Sequence, residues 1–198
     1  MAVREQPAYE GIDTIVLFEE LAYEDVLPVR WRAATAPISE AFRRSCAEGN
    51  LKILQAATAL EEHSQPEKNK QDEHSQFHAD IVRLDMKVNM LLEMVGQLLA
   101  AQQPRPEAMS IRFNKLGAVW TNKGTASTAN SNGMLEVFLK ECVAEPLRLL
   151  GRVASVGQDG RIKVQFEPMP QAVGDLIEKL AFRRHRRQVA GARQPKNK

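Results

Sequence analysis

Between Phe77 and Leu98 the apolar positions are 77, 81, 84, 88, 91, 95 and 98, so the spacing alternates between four and three. This period predicts a helix over about 72–102, closed by prolines 104 and 106 of "QQPRPE". At helical rise the stripe spans roughly 33 Å. Ile81, Val88 and Val95 take the a positions of a heptad, and Phe77, Leu84, Leu91 and Leu98 the d positions. A seam of period 3.5 keeps facing one partner only when helices supercoil, and a sheet surface cannot supply that partner. Two partners fit: an earlier helical stretch of the same chain folded back, or further copies of the chain. The earlier stretch (Ile38, Phe42, Leu51, Leu54, Leu60) is less regular and contains Gly49, which favours further copies. Leu92 and Leu99 at e and Met94 at g widen the apolar face beyond what a two-stranded coil covers, so three or four helices suit it better. The expected oligomer interface is Phe77, Ile81, Leu84, Val88, Leu91, Leu92, Val95, Leu98 and Leu99.

Elsewhere the period shortens. "IDTIVLF" (12–18) and "VLPVRWRA" (26–33) read as strands, with Pro28 suited to an edge or a strand start. "TAPISEAFRRSCAEGNLKILQAATALEEH" reads as helix, with Thr35 as candidate cap and Gly49-Asn50 as a candidate break into two. After the prolines, "MSIRFN", "AVWTN", "MLEVFLKE", "LRLLGRVASV" and "RIKVQFEPM" are five strand candidates, and Asp159-Gly160 marks a hairpin. Val173, Leu176, Ile177 and Leu180 place a final helix. The expected fold class is α+β, a small antiparallel barrel from 12–33 and 107–187 with a helical insertion at 35–102. Residues 188–198 are expected to form a disordered basic tail.

Composition excludes more than it assigns. A formal net charge of +2 over 198 residues gives no global field for nucleic acid, and DNA binding is not expected. Two cysteines far apart, no apolar leader and no apolar run long enough for a membrane span point to a cytoplasmic protein. No catalytic motif is present. His74 and His78 share a helical face, but no third ligand completes a metal site, so neither metal nor cofactor is expected. The basic run "FRRHRRQ" ends the last helix, where cations complement the macrodipole or offer a contact to a polyanion or a membrane surface.

Barrel strands, a long polar hairpin, a closing helix and the heptad insertion together resemble the PilZ domain, specifically its atypical tetrameric members. The resemblance implies a receptor class for cyclic di-GMP, which uses an RxxxR segment before the barrel and a D/N-x-S-x-x-G segment on it. Here the second segment maps to Thr128, Asn130 and Gly133, and only Gly133 matches. Before the barrel, Arg30-Trp31-Arg32 has the wrong spacing, whereas Arg148–Arg152 and Arg183–Arg187 have the spacing in the wrong place. The expectation is a non-enzymatic homotetrameric signalling or assembly protein. It would bind an unidentified protein partner in cyclic di-GMP-linked motility or virulence, without tight cyclic di-GMP binding in the usual mode. The alternative is a cyclic di-GMP receptor with a non-standard site using Arg30, Arg32, Arg183 or Arg187.

Overall fold

A computed structural model describes residues 21–63, 76–102, 105–121, 128–140 and 143–192. The strands are β1 (Tyr23–Ala33), β2 (Ala108–Phe113), β3 (Gly117–Thr121), β4 (Asn132–Val137), β5 (Leu147–Val156) and β6 (Arg161–Phe166). The helices are α1 (Glu40–His63), α2 (Gln76–Ala101) and α3 (Gln171–Ala192). The strands close into an antiparallel barrel in the order β1-β2-β3-β6-β5-β4, so the α+β class holds. The strand candidate at 12–18 lies outside the described residues, as does the tail from 193 onward. The last helix continues through Ala192, past the boundary expected at 187.

Alternation decides which side chains enter the barrel. Leu27 and Val29 of β1, Leu135 and Val137 of β4, Leu147, Leu149 and Val153 of β5, and Ile162 and Val164 of β6 are buried. The long strand β1 serves two neighbours. Val26–Pro28 face Ser110–Ala108 of β2, and Val29–Ala33 face Val137–Gly133 of β4. Pro28, expected at an edge, stands where β1 changes partner. There its missing N–H interrupts no continuous ladder, while its carbonyl accepts from Phe138 N–H at 3.1 Å. The helical excursion therefore leaves and re-enters the barrel between two strands that pair with each other.

Three turns follow local chemistry. Gly160 takes φ 77° in the β5–β6 hairpin, where Gly157 N–H donates to Arg161 O at 2.7 Å. Asn114 Oδ1 accepts from the N–H groups of Leu116 and Gly117 at 2.8 and 3.1 Å, which sets the β2–β3 turn. Ser39 Oγ accepts from Phe42 N–H at 3.2 Å and caps α1, the role the sequence assigned to Thr35.

Gly49-Asn50 does not break α1. Cys46, Asn50, Ile53, Leu54 and Ala57 form one buried face, and burying it outweighs the roughly 1 kcal/mol a mid-helix glycine costs. Asn50 also completes the sheet. β5 outruns β6 at its start, which leaves the backbone of Arg148 without a strand partner there. Asn50 Nδ2 donates to Arg148 O at 2.9 Å, and Arg148 N–H donates to Asn50 Oδ1 at 2.8 Å. Asn50→Ala should leave both backbone groups unpaired and lower stability by about 2 kcal/mol, measured by urea denaturation.

The core cluster draws on the barrel, on α1 (Ile53, Leu54, Ala57) and on α3 (Val173, Ile177, Leu180, Ala181). Among the described residues it takes none from α2. Among those residues α1 does not fold back onto α2, because α1 spends its apolar face on the barrel and α3.

Candidate functional site

The heptad face of α2 is solvent-exposed on the single chain. Ile81, Leu84, Val88, Leu91, Leu92, Val95, Leu98 and Leu99 are between 44% and 65% exposed. Phe77 falls within α2, but its side chain lies outside the described residues. Among exposed large apolar residues Val82, Met86 and Met90 lie on the opposite side, and one polar pair, Asn89 Nδ2 donating to Asp85 Oδ2 at 3.2 Å, runs along the helix. A monomer seldom leaves so long an apolar strip in water.

The segment mapped to the glycine motif, Thr128 to Gly133, forms a stitched turn on the barrel rim. Thr128 O accepts from both the N–H and the Oγ of Ser131, at 3.1 and 2.6 Å. Asn130 adopts φ 66° and donates its N–H to Val153 O at 2.8 Å. Gly133, paired with Ala33, has no room for a side chain: a Cβ would lie 2.4 Å from Arg32 O and 2.5 Å from the Trp31 ring. The one residue that fits the motif is held there by packing.

The four arginines considered as possible ligand contacts lie on two elements, Arg30 and Arg32 on β1 and Arg183 and Arg187 on α3. Arg30 and Arg32 lie on the outer face of β1 and are both committed to Glu136. That carboxylate is 4% exposed, and it accepts from Arg30 Nε at 2.6 Å and Arg32 Nε at 3.0 Å. Two guanidinium groups make a buried carboxylate tolerable. Arg183 and Arg187 lie on α3, where Arg183 Nη1 approaches Thr58 O at 3.5 Å and Arg187 is half-buried. Their neighbour Arg184, which the sequence reading passed over, pairs with Asp25 at the start of β1 at 2.7 Å. Part of the basic run is thus structural. His185 and Arg186 remain exposed.

A cavity of about 470 Å³ opens between the first half of α1, the start of β5 and the connection from β6 to α3. Its charged lining is Glu40, Arg43, Arg44, Arg148 and Glu167, over a wall that includes Leu149, Met169 and Val173. Arg43 and Glu167 form a two-point pair, Nε to Oε2 at 2.8 Å and Nη2 to Oε1 at 3.0 Å, and Arg43 Nη1 also donates to Ile38 O. The hydrogen bond that Arg43 donates to Glu167 pushes the Arg43 pKa further up. Arg148 has only a loose contact with Glu145 at 3.7 Å. The sequence carried no signal for Arg43 or Arg44, and Arg148 stood out only through its spacing from Arg152.

Cys46 borders this cavity. Burial pushes its thiol pKa up from the usual 9.0, with Arg148 pulling weakly the other way. The fold thus favours the protonated thiol. Its contribution is fully present below the unfolded value and is lost as pH rises through the higher folded value. Alkylation of Cys46 by iodoacetamide, followed by peptide mass spectrometry, should reach half its maximal rate at a higher pH in the folded protein than in urea. Among the described residues no group of three His, Cys, Asp or Glu side chains could hold a metal, and no helix is long and apolar enough to cross a membrane.

A closed six-stranded barrel with a helical insertion and a closing helix is the architecture of a PilZ-type domain. A family model described as "Atypical PilZ domain, cyclic di-GMP receptor" matches residues 54–194, and the chain belongs to that family. A crystal structure of a pathogenic protein from Xanthomonas campestris, described as a tetrameric PilZ domain self-assembled via an unusual helical bundle, has the same fold. It aligns at TM-score 0.68 and 20% identity, over 87% of this chain and 92% of that one. No curated protein matches.

Proposed function

We propose that the protein is a non-enzymatic signalling or assembly component of cyclic di-GMP-linked processes, joined into a homotetramer through α2. The observation that carries this reading is the exposed heptad face, which the core leaves uncovered. The Xanthomonas campestris protein, self-assembled through a helical bundle, supports it. Four barrels on one bundle would raise the effective concentration of each, so that weak contacts to a protein partner add up. The degenerate turn at Thr128–Gly133 and the commitment of Arg30 and Arg32 to Glu136 argue against tight cyclic di-GMP binding in the usual mode. Static light scattering tests the assembly: four times the 22.2 kDa chain mass is expected, and a single-chain mass would reject it.

The family's description as a cyclic di-GMP receptor favours a second reading, a receptor with a non-standard site. Titration calorimetry separates the two. One-site binding of cyclic di-GMP at micromolar or tighter affinity would replace the first reading with the second.

A further inference from the structure

We propose that the cavity between α1, β5 and the β6–α3 connection is an anion-binding site. Arg44 and Arg148 would hold the phosphate or carboxylate oxygens of a small molecule whose apolar part rests on Met169, Leu149 and Val173. At about 470 Å³ the space falls within the range of small-molecule pockets.

Its charges are unevenly satisfied. Arg43 and Glu167 neutralise each other through two hydrogen bonds. Glu40 sits in the first turn of α1, where a carboxylate is favourable to the helix dipole. That leaves Arg44, which has no hydrogen-bond or ion-pair partner among the described residues, and Arg148, whose contact with Glu145 is long. Guanidinium groups suit planar, two-point recognition of such oxygens. The backbone that carries Arg148 is held in place, because Asn50, itself 5% exposed, grips it by both N–H and C=O. A side chain on an anchored backbone has less freedom left to lose on binding. Arg44 and Asn50 both lie on α1, so the lock and the second cation share one rigid element.

The site does not depend on the assembly reading. It would give the receptor reading a location, and it rests on that reading only where cyclic di-GMP is the ligand. The test is titration calorimetry on the full chain with three probes: inorganic phosphate, GMP and cyclic di-GMP. At least one should bind the parent protein. Arg44→Gln and Arg148→Gln should each weaken it about tenfold or more, the loss of one charge-assisted hydrogen bond. Arg186→Gln, on the exposed side of α3, should leave binding unchanged. Circular dichroism confirms that each variant folds, which both side chains permit because neither is buried. Binding by phosphate or GMP would mark a general anion site, and binding by cyclic di-GMP alone a dinucleotide site. No heat from any probe overturns the proposal, as does equal weakening in Arg186→Gln. Cyclic di-GMP binding that ignores Arg44 and Arg148 also overturns it, yet leaves the receptor reading standing. Light scattering on the same samples reports on assembly independently.

Discussion

Leu91→Glu is expected to leave the protein as single chains with an intact barrel. Leu91 occupies a d position at the middle of the stripe and is 60% exposed on the chain alone. A bundle would place one such carboxylate from every chain in one layer, against leucine and valine. Burying an uncompensated charge costs several kcal/mol per ion, and the like charges would also repel. Leu84→Glu should act the same way one heptad earlier. Met86, 69% exposed on the opposite side of α2, is the control: Met86→Glu should keep the parent mass. Light scattering distinguishes these results. Because the core takes nothing from α2, the thermal unfolding of the Leu91→Glu barrel should resemble that of the parent. A Leu91→Glu protein that still shows the parent mass would remove the assigned seam.

Gly133→Ala should cost the barrel about 3 kcal/mol, at the upper end of ordinary overpacking. The new methyl would meet the Arg32 carbonyl at 2.4 Å, a backbone atom held in the β1–β4 ladder, and the Trp31 ring at 2.5 Å. Trp31 cannot retreat freely, since its ring lies 6.3 Å from that of Trp120. The clash falls on the pairing that closes the barrel. In a protein of this size the expected fall in melting temperature is roughly 6–12 °C. Calorimetry measures it, and an unchanged melting temperature would mean that β1 and β4 are not packed this closely.

Legibility in the sequence followed the range of the interactions. β5 was readable to the residue: Leu147, Leu149 and Val153 alternate between Pro146 and the Gln158-Asp159-Gly160 turn, all local signals. The span of α2 was readable because a strict heptad needs no knowledge of its surroundings. The continuity of α1 was not. Gly49-Asn50 looks like a break until Asn50 is seen to complete β5, 98 residues away. The same distance hides the cavity: nothing near Arg44 in sequence announces that α1 will dock beside Arg148 and Glu167. The partners of several arginines lie further still along the chain. Arg30 and Arg32 answer to a carboxylate 104 or more residues away, and Arg184 to one 159 residues away. Spacing rules cannot see such partners.

Pro28 and Ala108 face each other across the β1–β2 ladder, with the whole helical excursion strung between β1 and β2. Within that excursion α1 is packed into the core, but α2 can change length, or be replaced, while the barrel closes as before. The entropy of closing a longer or shorter connection changes by only about 0.6 kcal/mol per doubling. A lineage carrying this fold could therefore revise how many copies gather, and how far apart their barrels stand, by editing one rod and leaving every sheet contact untouched.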